Sequence, residues 1–586
     1  MCEVSPAEQA SVQALDEMFS AINDGSCFRL EAGAGAGKTY SLLKALKHLI
    51  DNRSLEFSQK EQKIACITYT NVAKNEIRER TDNHPVIFAD TIHAFSWSFI
   101  KSFQSQIRNL MPELSDRWGD RITEAGGINC QKVIYDLGFP KIDEEVIELH
   151  HDDVIKLMAS LLEYPKFQSL LKAKFPIIFI DEYQDTNIGL ASSIVDNLID
   201  NNAGILIGLF GDHWQKIYGR DACGLIVSTQ GNIVEIGKNA NFRSDKNIVQ
   251  CLNNMRPELP QHEFDPESDG QVLIYHSNSW VGDRRTGGHW KGDLPEDIAH
   301  EYFEHVKGVM EADGWNFDSE NTKVLMLTNN VLATEQGYKE LADCFNYPED
   351  YLKKNDPYIK YFVDIIEPIS AFFEMRKYGD LFQVINQKFP QLQCQNDKRL
   401  WVANLNRIND IRLNGIIGDL LDYLLNINKP SLSNKVTQLE ARYQELQTAN
   451  IDDLDDRSQR FLRKITSLRA ISYQQVIQLT KFIEEKTPFS TKHGVKGAEF
   501  DNVLVVLGRG WNQYNWNQMF EFMANGYPEN KKDSFERNRN LFYVACSRAK
   551  HNLTLLITQE LSDEALAKLS YLFGEDQVVG ELDIQN

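Results

Sequence analysis

The stretch Glu31–Tyr40, which reads Glu-Ala-Gly-Ala-Gly-Ala-Gly-Lys-Thr-Tyr, constrains this chain more than any other. It follows a short apolar run and precedes a segment of helical pattern, so it joins a strand to a helix. Small residues let backbone N–H groups wrap closely around phosphate oxygens. A dinucleotide loop of the Rossmann type is the alternative, but a Lys-Thr pair opening the helix has no role there. The stretch therefore predicts a phosphate-binding loop.

Each part of this loop has a chemical reason to be there. The Lys38 ammonium brings a point charge to the outer phosphates, and the Thr39 hydroxyl can ligate Mg²⁺. The helix N-terminus adds a positive partial charge. We expect glycines at three positions to supply left-handed backbone angles, namely Gly33, Gly35 and Gly37. The predicted nucleotide-binding set of the loop is Ala32, Gly33, Ala34, Gly35, Ala36, Gly37, Lys38, Thr39 and Tyr40.

A second motif places two acids directly after an apolar strand, where Ile177–Ile180 is followed by Asp181 and Glu182. In a phosphate-loop enzyme the first acid holds Mg²⁺. The second is placed to accept a proton from the attacking water. A charged group near a hydrophobic core is costly, so two adjacent acids after a buried strand seldom have only a structural role. We therefore predict that Asp181 is a metal ligand and that Glu182 is the general base.

The length and composition set limits on the rest of the chain. Its 586 residues are too many for one core, and 42% hydrophobic with 25% charged residues is an ordinary globular mixture. The net charge of −22 means that any nucleic-acid site must be a local groove. The nine cysteines are scattered singly, which argues against zinc and against a disulfide framework. With no signal-peptide pattern at the N-terminus, these features indicate a reducing cytoplasm.

The order of strand and helix patterns predicts two α/β cores, each interrupted by a mostly helical insert. The strands are rich in Val, Ile and Leu, as strands of a buried parallel sheet are. The expected boundaries are 1–100 with 175–235 for the first core, 101–174 for its insert, 236–345 with 487–586 for the second core, and 346–486 for its insert.

Two further segments suggest contact with a nucleic-acid backbone. Ile67–Arg78 reads as a strand that ends in hydroxyls and leads into a helix, and Thr91-Ile92-His93 repeats this pattern more weakly. Hydroxyls and helix N-termini position nucleic-acid backbones, and Tyr69 could stack on a base. The alternative is an ordinary strand–turn–helix capped by Thr70 or Asn71. Both interpretations stay open.

Together these strings resemble the superfamily 1A helicases of the UvrD, Rep and PcrA group. Later segments extend the resemblance in the family's order across nearly the whole chain: Gly211–Gly219, Asn241–Ser244, Val324–Phe345, Thr491–Phe500 and Leu541–Lys550. The resemblance implies two RecA-like cores, 1A and 2A, with inserts 1B and 2B. It also implies that ATP and Mg²⁺ bind between the cores and that the protein steps 3′→5′ along single-stranded DNA.

The resemblance also implies roles for individual residues. Gln215 would sense the γ-phosphate, while Arg243 and Arg548 would clamp it from the second core, as permanently charged guanidinium groups can. Phe242 would stack on adenine and Glu499 would hold the ribose. A side-chain amide can read the adenine edge, which gives a role to Gln9. The implied DNA contacts are Tyr69, Thr70, Asn71, Thr91, His93, Tyr218, Arg220 and His493.

Three positions depart from the family pattern. Tyr40 stands where the family usually has Arg, so we expect a differently built adenine pocket. Arg220 stands where the family has a base-stacking Trp, and Asn538 where it has Glu. A guanidinium plane also stacks on bases, so the site at Arg220 is expected to be altered rather than lost.

A narrower resemblance lies in the last quarter of the chain. His493–Val503, Gly510–Trp516 and Arg539–Val544 resemble the compact helicase-like subunit of the Gabija anti-phage system. This implies a partner, an ATPase–TOPRIM nuclease. Two other functions stay open: a DNA-sensing regulatory ATPase that licenses a partner nuclease with little unwinding, and a stand-alone repair helicase.

Overall fold

The computed structural model describes residues 4–136, 140–217, 221–326, 329–385, 394–427, 430–449, 454–490, 497–508 and 514–580. The strands are β1 (Phe28–Ala32), β2 (Ile64–Thr68), β3 (Ile87–Thr91), β4 (Lys132–Ile134), β5 (Lys141–Ile142), β6 (Val146–Glu148), β7 (Ile177–Asp181), β8 (Leu206–Gly211), β9 (Val234–Lys238), β10 (Ala240–Asn241), β11 (His262–Glu263), β12 (Gln271–His276), β13 (Thr322–Met326), β14 (Phe489–Ser490), β15 (Phe500–Leu507), β16 (Ala549–Ile557) and β17 (Val578–Val579).

The helices are α1 (Pro6–Asp24), α2 (Lys38–Gln59), α3 (Asn71–Arg80), α4 (Ile92–Ile100), α5 (Gln104–Leu114), α6 (Asp116–Glu124), α7 (His151–Leu161), α8 (Pro165–Lys174), α9 (Ile188–Ile194), α10 (Lys246–Met255), α11 (Glu296–Ala312), α12 (Asn329–Glu335), α13 (Lys339–Asp343), α14 (Pro348–Leu352), α15 (Pro357–Tyr361), α16 (Glu367–Glu374), α17 (Tyr378–Val384), α18 (Gln395–Asn414), α19 (Ile417–Ile427), α20 (Asn434–Thr448), α21 (Asp456–Ala470), α22 (Gln474–Ile483), α23 (Trp516–Asn525), α24 (Lys532–Cys546) and α25 (Asp563–Phe573).

The first core is a six-stranded sheet in the order β3-β2-β7-β8-β1-β9, and all its strand pairs are parallel. Helices α1 and α2 cover one face, and α4, α7 and α9 cover the other. Strands covered on both faces need continuous apolar runs, which explains why β7 reads Ile-Ile-Phe-Ile before its acid. Because β9 pairs with β1, this core continues to Lys238, past the expected boundary at 235.

The second core is another six-stranded parallel sheet, in the order β14-β13-β15-β16-β12-β17. Helices α10, α23, α24 and α25 pack on one face, and α11 packs on the other. The predicted fold class, two parallel-sheet α/β cores with helical inserts, is confirmed.

The two inserts differ in ways that the sequence patterns did not show. The first contains α5–α8 and also a small sheet in the order β4-β6-β5, whose strands of two or three residues are too short to give a periodic signal. In the second, the side chains of Ala333, Tyr338 and Leu341 already pack with helices α15–α22, so helical packing begins earlier than the expected 346. No helix in the described part of the chain combines the length and apolarity needed to cross a membrane.

The two cores touch at the carboxyl edge of the first sheet. The backbone N–H of Phe242 donates to the Gly35 carbonyl at 2.9 Å, and the Asn241 amide donates to the Ala34 carbonyl at 3.3 Å. From α24, the Tyr543 hydroxyl accepts from the backbone N–H of Ala34 at 3.4 Å. Since parallel strands all end at one edge of a sheet, the second core meets the first where β1, β7 and β8 end.

Candidate active site

The phosphate-binding loop is the turn between β1 and α2. Gly35 and Gly37 have φ angles of 74° and 75°, as expected, and Gly37 is the N-cap of α2. The expectation of a left-handed angle at Gly33 is wrong. Gly33 needs to be small for another reason: a Cβ there would lie 2.7 Å from the Gln261 amide nitrogen. A side chain at this position would have to displace the Gln261 amide, which donates to the Ala34 and Ala240 carbonyls, so close approach of the second core favours glycine here.

Lys38 and Thr39 open α2, where the backbone N–H groups of the first turn have no intrahelical acceptors. Both side chains are partly exposed. Within the described ranges, no hydrogen-bond or ion-pair partner is recorded for the Lys38 ammonium. A helix N-terminus with a free cation beside it suits a phosphate group.

The two acids of the second motif differ in their surroundings. Asp181 is the last residue of β7 and is 5% exposed, and one of its oxygens accepts from the backbone N–H of Glu182 at 3.1 Å. Glu182 has a φ of 50°, which costs a non-glycine residue roughly 1–2 kcal/mol. This angle turns the Glu182 side chain away from the direction of the strand. The Glu182 carboxylate accepts from the Gln184 amide at 2.5 Å.

Gln215 is held by a buried network that leads back to Glu182. Its amide donates to Asp212 Oδ2 at 2.8 Å, and both residues are buried. The backbone N–H of Asp212 donates to the Gln184 side-chain oxygen at 3.1 Å. Gln184 donates in turn to Glu182, so hydrogen bonds connect the predicted γ-phosphate sensor and the predicted base.

Arg243 and Arg548 lie together on the second core. Arg243 Nη1 donates to the Ser547 carbonyl at 2.9 Å, and Arg243 Nε pairs with Glu499 at 3.0 Å. Arg548 is 1% exposed and donates to the carbonyl oxygens of Val544 and Ala498. The pKa of Arg548 is lowered to about 9, because burial and repulsion by Arg243 outweigh the attraction by Glu182. The two arginines therefore lie side by side on the second core, and Arg548 is within electrostatic reach of Glu182 of the first core.

Aromatic rings mark the expected adenine end of the site. Phe242 is 40% exposed and lies 5.8 Å from the Phe264 ring. The Lys238 ammonium is 5.4 Å from the Tyr40 ring and 5.9 Å from the Phe242 ring. The Gln9 amide donates to the Val4 carbonyl at 3.3 Å within its own segment. Its role with adenine, and the role of Glu499 with ribose, stay predictions.

Five of the eight predicted DNA contacts lie at strand–helix junctions of the first core. Thr70 and Thr91 cap α3 and α4 by accepting from Ala73 N and Ala94 N, so the capping interpretation is confirmed for Thr70. Asn71 is exposed, whereas the Tyr69 hydroxyl is buried. The His93 ring stacks on His151 at 3.4 Å. Three further predicted contacts lie outside the described residues: Tyr218, Arg220 and His493.

Comparison with known proteins places this site in a family. Residues 17–221 match the family described as "AAA domain", and residues 316–560 match the one described as "UvrD-like helicase C-terminal domain". The chain is a UvrD-like helicase. It is 26% identical to Gabija protein GajB of Bacillus cereus (strain HuB5-5) over 97% of this chain and 98% of that protein. It resembles GajB throughout its length.

More distant relatives match parts of the helicase. The ATP-dependent DNA helicase PcrA of Staphylococcus aureus is 26% identical over 42% of this chain and 40% of PcrA. The solved structure of the Pif1 helicase from Candida albicans shares 13% identity, with a TM-score of 0.26 over 56% of this chain and 53% of that one. Family membership makes this chain an ATP-hydrolysing DNA helicase.

No individual role followed from the sequence for several residues around the phosphate-binding loop, although Glu31, Asn241 and Tyr543 lie within the motifs. Glu31, Lys238, Asn241, Arg256, Gln261 and Tyr543 all contact the loop or its neighbouring strands. Lys238 carried a weak signal, since it is a lone cation just before Asn-Phe-Arg-Ser. Arg256 carried no signal in the sequence, because its partners Glu31 and Asp212 are 225 and 44 residues away in the chain.

Lys238 is a buried cation beside the phosphate-binding loop. Its ammonium donates to Ser41 Oγ at 2.8 Å and to the Gly37 carbonyl at 3.3 Å, and no carboxylate is paired with it among the described residues. Burial lowers its pKa to about 8. The unfolded chain therefore binds more protons than the folded one between about pH 8 and pH 10.5, and stability rises with pH across that window.

Lys238→Met is expected to stabilise the nucleotide-free helicase at pH 7 by roughly 1–3 kcal/mol, because it removes a cation that burial disfavours. The gain should shrink between pH 8 and pH 10, since the wild-type lysine loses its charge there. Thermal unfolding at several pH values measures both effects. Lys44→Met on the exposed side of α2 is the control and should change little. A variant that is less stable than wild type at pH 7 would contradict this expectation.

Proposed function

We propose that this helicase is an ATP-driven 3′→5′ translocase on single-stranded DNA and the helicase-like subunit of an anti-phage complex. The observation that carries the proposal is the similarity to Gabija protein GajB along nearly the whole of both chains. The proposed partner is an ATPase–TOPRIM nuclease that acts with it on DNA in the cytoplasm. The domain limits inferred from the sequence, with the first core extended to Lys238, belong to this proposal.

The loop and the acids support a mechanism for ATP hydrolysis. Lys38 and the first turn of α2 would bind the phosphates, and Thr39 and Asp181 would hold Mg²⁺. The buried Asp181 carboxylate at the end of β7 fits a hard cation. The bound metal would neutralise charge on the phosphates. Glu182 would accept a proton from the attacking water.

The second core would complete this site. Arg243 and Arg548 would stabilise the charge that develops on the transferred phosphoryl group, and Gln215 would contact the γ-phosphate. Phe242 and Tyr40 would hold the adenine, with Lys238 near both rings. Because ATP would touch both cores, hydrolysis would open and close the cleft between them.

The DNA track is proposed along the strand–helix junctions of the first core. The N-termini of α3 and α4, capped by Thr70 and Thr91, present backbone N–H groups suited to phosphates. Asn71 is exposed beside them. Tyr69 is the proposed stacking residue; it is partly exposed as a residue, packs against the core of the first sheet, and has a buried hydroxyl. The overall charge of −22 limits this track to few phosphate contacts.

Strand separation tests the proposal. Duplexes with a 3′ tail or a 5′ tail are incubated with ATP and the helicase, with and without the nuclease subunit. We expect separation of the 3′-tailed duplex and none by Glu182→Gln. Separation of only the 5′-tailed duplex would contradict the polarity. ATP hydrolysis without separation, combined with activation of the nuclease, would favour the regulatory ATPase.

A further inference from the structure

We propose that Arg256 is a positioning residue that couples contact between the two cores to the orientation of Gln215 and Glu182. It follows α10 of the second core and is 1% exposed. Its guanidinium crosses to the first core, where Nη1 lies 2.5 Å from Asp212 Oδ1 and Nη2 lies 2.9 Å from Glu31 Oε1. A single second-core side chain thus holds the carboxylates at the ends of β1 and β8.

Through Asp212, Arg256 reaches the groups proposed to act on the γ-phosphate. One Asp212 oxygen accepts from Arg256, and the other accepts from the Gln215 amide at 2.8 Å. The backbone N–H of Asp212 donates to Gln184, whose amide donates to Glu182. Turning the Asp212 carboxylate would therefore move the hydrogen-bond acceptor that fixes Gln215.

Through Glu31, Arg256 also reaches the residue just before the phosphate-binding loop. The Glu31 carboxylate accepts from the Tyr183 hydroxyl at 2.5 Å and from the backbone N–H of His213 at 3.0 Å. The His213 ring lies 2.6 Å from the same carboxylate. Burial raises the pKa of Glu31, but His213, Arg256 and Tyr183 together lower it to about 2. Glu31 is therefore an anion that needs a cation beside it.

The network is complete only when the cores touch. Glu31 and Asp212 belong to the first core, and their shared cation belongs to the second. Without Arg256, Asp212 keeps no ion-pair partner among the described residues, and Glu31 keeps only Arg29 at 3.5 Å and the His213 ring of its own core. The two buried carboxylates would then repel each other and lose part of their hydrogen bonding. The Arg256 guanidinium also lies 5.5 Å from the Trp214 ring and 6.0 Å from the Tyr543 ring, which fixes its position between the cores. Its Nε lies 3.4 Å from Glu258, a half-exposed acid.

Arg256→Met is expected to lower kcat for ATP hydrolysis by about 10- to 100-fold, as small misplacements of reacting groups do. The KM for ATP and the affinity for a non-hydrolysable ATP analogue should change by less than about threefold, because Arg256 lies behind the nucleotide-binding groups. Arg256→Lys keeps the charge but loses the planar fork, so it should recover only part of kcat. DNA-free hydrolysis is measured, so the outcome does not depend on the DNA track.

Arg412→Met is the matched control. Arg412 is 8% exposed and forms a two-pronged ion pair with Glu367 inside the second insert, far from the site in the fold. Its loss should lower Tm about as much as Arg256→Met while leaving kcat unchanged. If Arg256→Met does not fold, Arg256→Lys with Asp212→Asn gives the test, because their effects on kcat should be strongly non-additive.

The inference rests on the proposed roles of Gln215 and Glu182, and its failure can be told apart from theirs. Wild-type kcat in a folded Arg256→Met variant, or additive effects in the pair, would overturn the role of Arg256. If Arg412→Met lowered kcat as much as Arg256→Met does, the effect of Arg256 would come from its contribution to stability alone. Wild-type kcat in Gln215→Ala would instead contradict the proposed site.

Discussion

Arg548→Ala is expected to lower kcat for ATP hydrolysis by about 10³-fold or more, the magnitude known for arginines that contact a transferred phosphoryl group. The structure explains why this arginine suits that role. Its guanidinium is buried beside Arg243, and the strongest electrostatic attraction that acts on it comes from Glu182 of the first core. Arg243 and Arg548 are two adjacent cations that are partly removed from water. An anion bound between the cores, such as a phosphoryl group, would stabilise them.

The affinity for ATP should change far less than kcat, because the loop and Lys38 on the first core provide most of the binding. Steady-state hydrolysis at saturating ATP and equilibrium binding of an ATP analogue measure the two quantities. Arg243→Ala should behave like Arg548→Ala. Arg537→Ala, on the exposed side of the same helix α24, is the control and should have wild-type kcat. Normal hydrolysis by both the Arg243 and Arg548 variants would show that the site does not lie between the cores.

Glu182→Gln is expected to bind ATP and to hydrolyse it about 10²- to 10⁴-fold more slowly, because a carboxamide cannot accept the proton of the attacking water. The substitution keeps the size of the side chain. Because Gln and Glu have the same carbon skeleton, we expect the left-handed backbone angle of 50° at this position to be kept. A carboxamide oxygen still accepts from Gln184, so the local hydrogen bonding can persist.

The rate of phosphate release measures hydrolysis, and the retention of labelled ATP measures binding. Glu163→Gln alters an exposed acid of the first insert and should leave both unchanged. Turnover near the wild-type rate in Glu182→Gln would remove Glu182 as the base. Loss of ATP binding in this variant would instead indicate a structural role.

The parts of the site that lie close together in the chain could be predicted from the sequence. The phosphate-binding loop and the Asp181-Glu182 pair each need only one strand, one turn and the residues beside it. The left-handed angles at Gly35 and Gly37 follow from the same local pattern. Gly33 did not follow it, because its constraint comes from Gln261 of the second core.

The contacts between the cores could not be predicted from local patterns. Glu31, Asp212 and Arg256 form one buried network although they lie far apart in the chain. A lone buried arginine after a helix has no periodicity to reveal it. Strand β9 was divided between the cores for a similar reason: whether a five-residue strand joins one sheet or the other depends on pairing with β1, which the sequence does not display.

In the proposed mechanism, ATP hydrolysis in this two-core site is coupled to single-stranded DNA. The rate of ATP hydrolysis with increasing single-stranded oligonucleotide tests it most directly. We predict a saturable rise that is larger than with duplex DNA of equal length. The apparent affinity for DNA should fall with salt at a log–log slope of about −3 to −5, as few phosphate contacts require. The same rate with and without DNA, in a preparation whose hydrolysis Glu182→Gln abolishes, would contradict the claim.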